Sequence, residues 1–436
     1  MDLMHLTRRR FLAAGLCGCA LCRGVPALAR AAADALPSLP SLPSLPSLVG
    51  PGYRPEDADE KGLWRMCARL EEDIAASGLL MRTPDLHRYT VGVVERLLGP
   101  QARDLRVYLV HDASFNAAMY PNGMMLVHSG LLARMRNEAQ FAAVLGHESG
   151  HFARKHSVAG WRTLKSRTGA MAFVTAGGAV AAGASAARGG DTGSWFDLAY
   201  SINKALVLSV YSFSRGQESE ADMYGLHLLH RAGYTPEAAA QVWRQLIEER
   251  KASARARDKR YRDGAVSAYS THPPSDERMA ALSAAAAEMR RAGSGGPSGE
   301  HRFDDGHRFD DGREAWRRAV APHLFTLLAE QVGLNDPGAS LYLLKSLAED
   351  GWTGLLRYFE GEVYRLRDEA GDAERAASAY AAAVACADAP PEAWRAHGYG
   401  LLKAGRGEEG RAALARYLDR KPDAEDAAMV RFSLAQ

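Results

Sequence analysis

From residue 106 onward the polar and apolar positions change rhythm several times. Arg106-Val107-Tyr108-Leu109-Val110 alternates as a short strand does. Asn116-Ala117-Ala118-Met119 leads into the turn sequence Tyr120-Pro121-Asn122-Gly123, and Met124 to Val127 returns, which predicts a hairpin. Asn137-Glu138-Ala139-Gln140 has the form of a capping box opening a helix. Along that helix Phe141, Val144, Leu145 and Phe152 form an apolar stripe. A second helix is expected just beyond Tyr211 to Arg215. A third follows Ser275, a candidate cap with Asp276 and Glu277 in its first turn.

From Arg313 to the end, Ala, Leu, Arg and Glu recur with helical spacing. The last hundred residues carry a period: Gly371 and Gly405 are 34 apart, and Pro390 and Pro422 are 32 apart. Each glycine ends one helix, an Ala-rich helix follows (Ala376 to Val384; Arg411 to Tyr417), and a proline closes the unit. An unrelated helical bundle is the competing reading of this region.

Between these blocks lie stretches of different character. Residues 36–48 repeat Leu-Pro-Ser, and proline at every third position blocks helix and sheet, so an extended spacer is expected. Residues 293–312 are Gly-rich and contain His-Arg-Phe-Asp-Asp-Gly twice, expected to be a duplicated linker segment, with metal binding by its histidines and aspartates as the alternative. Gly169 to Ala187 is uncharged and built from small residues; a packed helical hairpin or a lid near a cleft is expected, with a lipid-touching surface as the alternative. The resulting map has a signal at 1–29, a spacer at 30–52, a folded domain at 53–292, a linker at 293–312 and a helical domain at 313–436.

The N-terminus reads as an address. Thr7-Arg8-Arg9-Arg10-Phe11-Leu12 precedes a short apolar run and Ala27-Leu28-Ala29, the pattern of a twin-arginine export signal cleaved after Ala29. Leu16-Cys17-Gly18-Cys19 approximates a lipobox, which makes a lipid anchor on Cys19 the rival outcome. An uncleaved anchor is the third outcome, and all three place the chain outside a bacterial cytoplasm, with the periplasm expected. The 436 residues carry a formal charge of +2 and are 47% hydrophobic and 24% charged, which excludes a disordered chain and any basic field suited to nucleic acid. Removing residues 1–29 takes away four Arg and one Asp, leaving 50 basic and 51 acidic residues and a net −1. Five cysteines, three of them at 17, 19 and 22, make no disulfide framework.

The chemistry concentrates in His147-Glu148-Ser149-Gly150-His151, on the capped helix. Residues four apart share a helix face, so both imidazoles can reach one metal. Glu148, next to the first ligand, can take a proton from water activated there. Glu218 and Asp222 lie four apart on the second helix, 71 and 75 residues after His147. A catalytic zinc wants three protein ligands, and Glu218 can be the third. Asp222, one turn on, can accept from the outer nitrogen of a ligand histidine. The bland reading of that pair is a solvated acidic face.

His147 to His151, then Ser214-Arg-Gly-Gln-Glu218-Ser-Glu-Ala-Asp222-Met-Tyr-Gly225, then Ser270-Thr-His272-Pro-Pro-Ser-Asp-Glu-Arg278, resemble the BepA/HtpX/Oma-type zinc metalloendopeptidases, which carry the HExxH motif of gluzincins. The resemblance spans about 85–290 with specific motifs. More weakly, 340–430 resembles tetratricopeptide repeats. It implies an α+β, mostly helical protein: a zincin catalytic domain with a small β-sheet, followed by an α-helical tetratricopeptide-like solenoid. It also implies one zinc per chain on His147, His151 and Glu218, Glu148 as general base and acid, and His272 near the metal. His272 would act there as a latch on the open position or as a donor to the oxyanion. In peptidases of this shape an edge strand pairs with extended substrate, and Asn116 and Ala118 are the residues expected there. The function implied is an exported endopeptidase that hydrolyses misfolded or stalled envelope proteins. The alternative is a chaperone-like adaptor of outer-membrane assembly that works through its tail with proteolysis latent. A peripheral or lipid-anchored membrane contact goes with either. His128, His156 and His301 rank as non-ligands, with His156, five residues past His151, expected to face away and Glu220 to point elsewhere.

Overall fold

The structure is a computed structural model, and it describes residues 49–167, 213–262, 272, 275–293 and 310–435. The export signal, Cys19, the Leu-Pro-Ser spacer, the 169–187 interval, His301 and most of the duplicated hexapeptide lie outside the described residues. The described chain is mostly helical with one three-stranded sheet, as expected. Among the described residues no helix is long and apolar enough to cross a membrane.

Helix α1 (Ala58–Ala76) and helix α2 (Pro84–Leu98) precede the sheet. The sheet comprises β1 (Arg106–Val110), β2 (Ala117–Met119) and β3 (Met124–His128), in the order β1-β3-β2. The hairpin forms as its turn sequence predicts, with Gly123 N–H bonded to the Tyr120 carbonyl at 2.9 Å. Gly123 sits at φ +87°, and a Cβ there would meet the Asp104 carbonyl at 2.5 Å, so no other residue fits. The parallel pairing of β1 with β3 is not visible in the sequence pattern. Side chains alternate across the sheet. Val110, Ala118, Tyr120, Met124 and Leu126 pack with Leu63, Cys67, Leu70 and Ile74 of α1. Val107, Leu109, Met119, Met125 and Val127 enter the main core on the other face.

After a short helix α3 (Ser129–Arg134) comes α4 (Glu138–Ala153), which carries both histidines of the motif. The Asn137 side chain caps it, accepting from Gln140 N–H at 2.8 Å. The reciprocal half of the box goes one residue further back, with Gln140 Oε1 accepting from Arg136 N–H at 3.1 Å. Helix α5 (His156–Arg167) follows a break, α6 (Arg215–Arg231) opens on a complete Ser214/Gln217 capping box, and α7 (Glu237–Ala256) and α8 (Asp276–Gly293) complete this region.

The remainder is α9 (Arg313–Val320), α10 (Leu324–Gly333), α11 (Pro337–Leu347), α12 (Gly354–Arg367), α13 (Asp372–Val384), α14 (Pro391–Lys403), α15 (Gly407–Arg420) and α16 (Ala427–Leu434). The last helices form consecutive hairpins, α12 with α13 and α14 with α15, joined at Gly371 and Gly405, both in the left-handed region. In each hairpin a glycine of the first helix lies under a large side chain of the second: Gly361 under Tyr380, and Gly398 under Leu414.

Packing does not follow the expected boundary at 312/313. One continuous core runs from Met81 to Ala393. Trp316 of α9 lies within it, its indole N–H bonded to the Met135 carbonyl at 2.9 Å and its ring 4.9 Å from that of Phe141. Arg134 of α3 is buried between α7 and α10, with Glu249 at 2.7 Å and Gln331 at 2.6 Å. Helices α9 to α11 therefore share one core with the N-terminal elements, and that core continues into α12 to α14 of the hairpin array. The reason is chemical: Trp316, Gln331 and Leu328 are too apolar or too well satisfied by the domain to remain a separate layer.

Candidate metal centre

Helices α4 and α6 cross at glycines. A Cβ on Gly225 would lie 2.6 Å from His147 N, and one on Gly150 would lie 2.9 Å from the Ala221 Cα. That close approach lets side chains from both helices converge on one point. One ligand atom each from His147, His151, Glu218 and His272 lies within 4.8 Å of the others, and all four residues are buried.

The spacing is that of a coordination shell. His147 Nε2 is 3.1 Å from His151 Nε2, 3.3 Å from His272 Nδ1 and 3.7 Å from Glu218 Oε2. Glu218 Oε1 is 3.6 Å from His151 Nε2 and 2.8 Å from His272 Nδ1. Four donors held tetrahedrally at zinc distances would stand about 3.3 Å apart. Hydrogen bonds alone do not explain the set, because a ring nitrogen makes one hydrogen bond and His147 Nε2 faces three polar atoms, at 3.1, 3.3 and 3.7 Å. The donor set fits a zinc ion.

Electrostatics agree. Burial, reinforced by the imidazoles of His147 and His272, pushes His151 well below its ordinary value, which keeps it the neutral donor a metal requires. Burial works to raise Glu218, but His272, His147 and Arg278 outweigh it and hold the carboxyl low. Burial also works against Asp222, yet Arg278 and His147 bring it down to about 2. Glu148 behaves oppositely: burial pushes its carboxyl up, against the pull of His272 and His147. His272 is raised, because the carboxylates of Glu148 and Glu218 outweigh the effect of burial.

Each expected site residue has a definite place. Asp222 Oδ1 lies 2.8 Å from His147 Nδ1, a short but bent contact. Glu148 Oε1 lies 3.3 Å from His272 Nε2 and also receives the Met119 N–H. The edge strand is β2, and its register differs by one residue from the expectation of Asn116 and Ala118. The Asn116 carbonyl accepts from His128 N–H at 3.2 Å, and Tyr120 N–H donates to the Met124 carbonyl at 2.8 Å. With a period of two, Ala118, opposite Leu126, also turns its main chain toward β3. The outward-facing backbone is that of Ala117 and Met119, on the side of Glu148. The Ala118 side chain belongs to the cluster over α1, whereas Asn116 and Ala117 line a narrow cleft with Val144, Glu148, Trp243 and Leu282.

Sequence reading missed three residues. Arg278 of α8 contacts Glu218 Oε2 at 2.7 Å and Asp222 at 2.8 Å through two nitrogens, with its guanidinium 4.2 Å over the Trp243 ring. The other two are His156 and Glu220: Glu220 does point away from the donor cluster, but the expectation that His156 faces away is corrected. Helix α4 stops at Ala153, and Lys155 takes φ +54°, so the chain doubles back. His156 Nδ1 comes within 3.0 Å of His151 Nδ1, and its Nε2 within 3.0 Å of Glu220 Oε2. An uninterrupted helix would have turned His156 away, and nothing local in the sequence announces the break. His128 stays apart, with Nδ1 3.0 Å from Ser114 Oγ.

A His-Glu-x-x-His helix, a glutamate from a second helix crossing at glycine, and a small sheet whose edge flanks the glutamate define a metallopeptidase domain. Residues 81–286 match the model of Peptidase family M48. The chain is 27% identical over 208 residues to the beta-barrel assembly-enhancing protease of Yersinia pestis, covering 47% of this chain and 40% of that protein. It is 30% identical over 196 residues to the mitochondrial metalloendopeptidase OMA1 of Schizosaccharomyces pombe, covering 44% and 50%. With the metalloprotease LoiP of Escherichia coli strain K12 it shares 31% identity over 181 residues, covering 41% and 60%. The chain thus spans about half the length of the curated relatives it matches.

Proposed function

We propose that this chain is a zinc-dependent endopeptidase of the bacterial cell envelope that hydrolyses peptide bonds in unfolded or stalled envelope proteins. The observation that carries the reading is the convergence of His147, His151 and Glu218 on one point, with Glu148 beside them at the edge of β2. Bound zinc supplies Lewis acidity, polarising a carbonyl and acidifying water. Glu148 is the base that takes the proton from the attacking water and later returns it to the leaving amine. Its raised proton affinity suits both halves of that task. An extended substrate pairs with the outward backbone of Ala117 and the Met119 carbonyl, the Met119 N–H being taken by Glu148, and such pairing reads conformation rather than sequence and so selects unfolded chains. The name of the Yersinia relative, together with the export signal expected at residues 1–29, supports the envelope assignment.

His272 Nδ1 among the donors favours the latch over the oxyanion donor, since it fills the position that water would otherwise take. The hairpins of α12 to α15 are read as tetratricopeptide-like, and their face toward Phe325, Tyr358 and Tyr417 would serve a partner of envelope assembly.

The decisive experiment compares zinc content and casein cleavage of wild type and Glu148→Gln. Retained zinc with abolished cleavage is expected; undiminished cleavage refutes the role of Glu148. Alongside it, His272→Ala should raise cleavage if the latch reading holds, and a fall in cleavage returns His272 to the oxyanion. A deletion strain fully complemented by Glu148→Gln would favour the adaptor reading over proteolysis.

A further inference from the structure

The two histidines of the motif are supported differently on their outer sides. His147 meets a carboxylate directly, at Asp222. His151 meets another imidazole: Nδ1 to Nδ1 of His156 is 3.0 Å, and the rings stand edge to face with centroids 5.0 Å apart. His156 in turn presents Nε2 to Glu220 Oε2 at 3.0 Å, and Glu220 is held on its other oxygen by Arg154. Phe213 stacks on the open face of the His151 ring at 3.9 Å.

The proton count along this row has one solution. A neutral imidazole carries one N–H. His151 turns Nε2 into the donor cluster, so its proton sits on Nδ1 and points at His156. Nδ1 of His156 must then accept, which places the proton of His156 on Nε2, facing a carboxylate that can only accept. Arg154, which can only donate, closes the row. Every donor meets an acceptor, and reversing either ring alone would set two donors or two acceptors face to face.

We infer that His156, oriented by Glu220, is a positioning residue that fixes the tautomer and ring angle of His151 for metal binding. This rests on the zinc reading of the centre. His156 touches neither metal nor substrate; it acts through His151, and it makes the Arg154–Lys155 break a functional element rather than an accident of chain path. Groups that orient a ligand histidine are worth about 10–100-fold in metal affinity.

The test uses the full chain, zinc affinity read by competition with a chromophoric chelator, and the visible spectrum of the cobalt(II)-substituted protein. His156→Ala should bind zinc about 10–100-fold more weakly and shift the cobalt bands, with metal-free thermal stability reported in parallel. His156→Asn places an amide oxygen near the Nδ1 position and should recover most of the affinity, which a purely structural role does not predict. Glu220→Gln, which keeps the fold's packing, should weaken binding less than His156→Ala, and it gives the reading if His156→Ala fails to fold. Wild-type affinity and spectrum in both His156→Ala and Glu220→Gln overturn the inference. So does His156→Asn no better than His156→Ala. A wild-type chain that binds no zinc overturns the metal reading itself, a result distinct from either.

Discussion

Replacing Gly225 by alanine adds one methyl group where the two ligand-bearing helices touch. The new Cβ would lie 2.6 Å from His147 N, 2.8 Å from the Gly146 carbonyl carbon and 3.0 Å from the His147 Cα. All three are backbone atoms of α4, so no side chain can swing aside. Restoring ordinary contact at 3.4 Å requires α6 to withdraw by about 0.8 Å. Donor distances in a metal site tolerate only about 0.2 Å. Glu218 is two turns before Gly225 on the same face, so the withdrawal carries its carboxylate out of the shell. Overpacking costs about 1–3 kcal/mol, and alanine in a helix interior returns about 0.5–1 kcal/mol, so the metal-free protein should lose little stability. Zinc affinity should fall by at least the about 10–100-fold expected when only outer groups change. Chelator competition on Gly225→Ala, beside thermal unfolding of the metal-free form, separates the two effects. Gly92→Ala is the control: Gly92 lies in α2 with open space at its Cβ, and it should gain about 0.5–1 kcal/mol with zinc affinity unchanged. Gly225→Ala with wild-type zinc affinity would refute the claim that glycine contact sets the shell.

Other consequences are as direct. Glu218→Ala should lose bound zinc in elemental analysis, and unchanged content removes it from the ligand set. Trp316→Ala should cost about 3–5 kcal/mol in urea unfolding of the peptidase core, because its ring is enclosed by Phe141 and Tyr89; a loss confined to the C-terminal hairpins would contradict the shared core. Arg134→Met should destabilise by about 3–5 kcal/mol by stranding buried Glu249, and adding Glu249→Leu should recover much of that; a double variant as unstable as the single one argues against the pair. A chain ending at residue 312 should fail to unfold cooperatively, read by calorimetry, because α9 to α11 are part of the core it would need.

How much of this was legible in the sequence depends on how local each cause is. The pair His147 and His151 is written within one helical turn, and Glu218 and Asp222 repeat that spacing, so both faces could be read before any coordinates. The hairpin at Tyr120 to Gly123 was equally local. The register of β2 was not: whether Ala117 or Ala118 turns outward depends on its pairing with β3. Arg278 closed one of the segments that carried the resemblance but had no role there, because its value lies in meeting Glu218 and Asp222 from a different helix. His156 was misjudged because one left-handed residue, Lys155, reverses the chain. The merging of α9 to α11 into the domain rests on partners far away in sequence, such as Met135 for Trp316, and periodicity carries no such information.

The shared core also bears on what breakage would mean. Trp316, Gln331 and Ser129-bound Glu330 join the C-terminal helices to the catalytic ones through buried surface. A cut in the polypeptide between 293 and 310 would therefore separate nothing. The nicked protein would run as two bands on a denaturing gel and as one species on a sizing column, with its metal centre intact. Self-digestion at that stretch would leave activity unmarked, and a sample judged by its native mass alone would pass as whole.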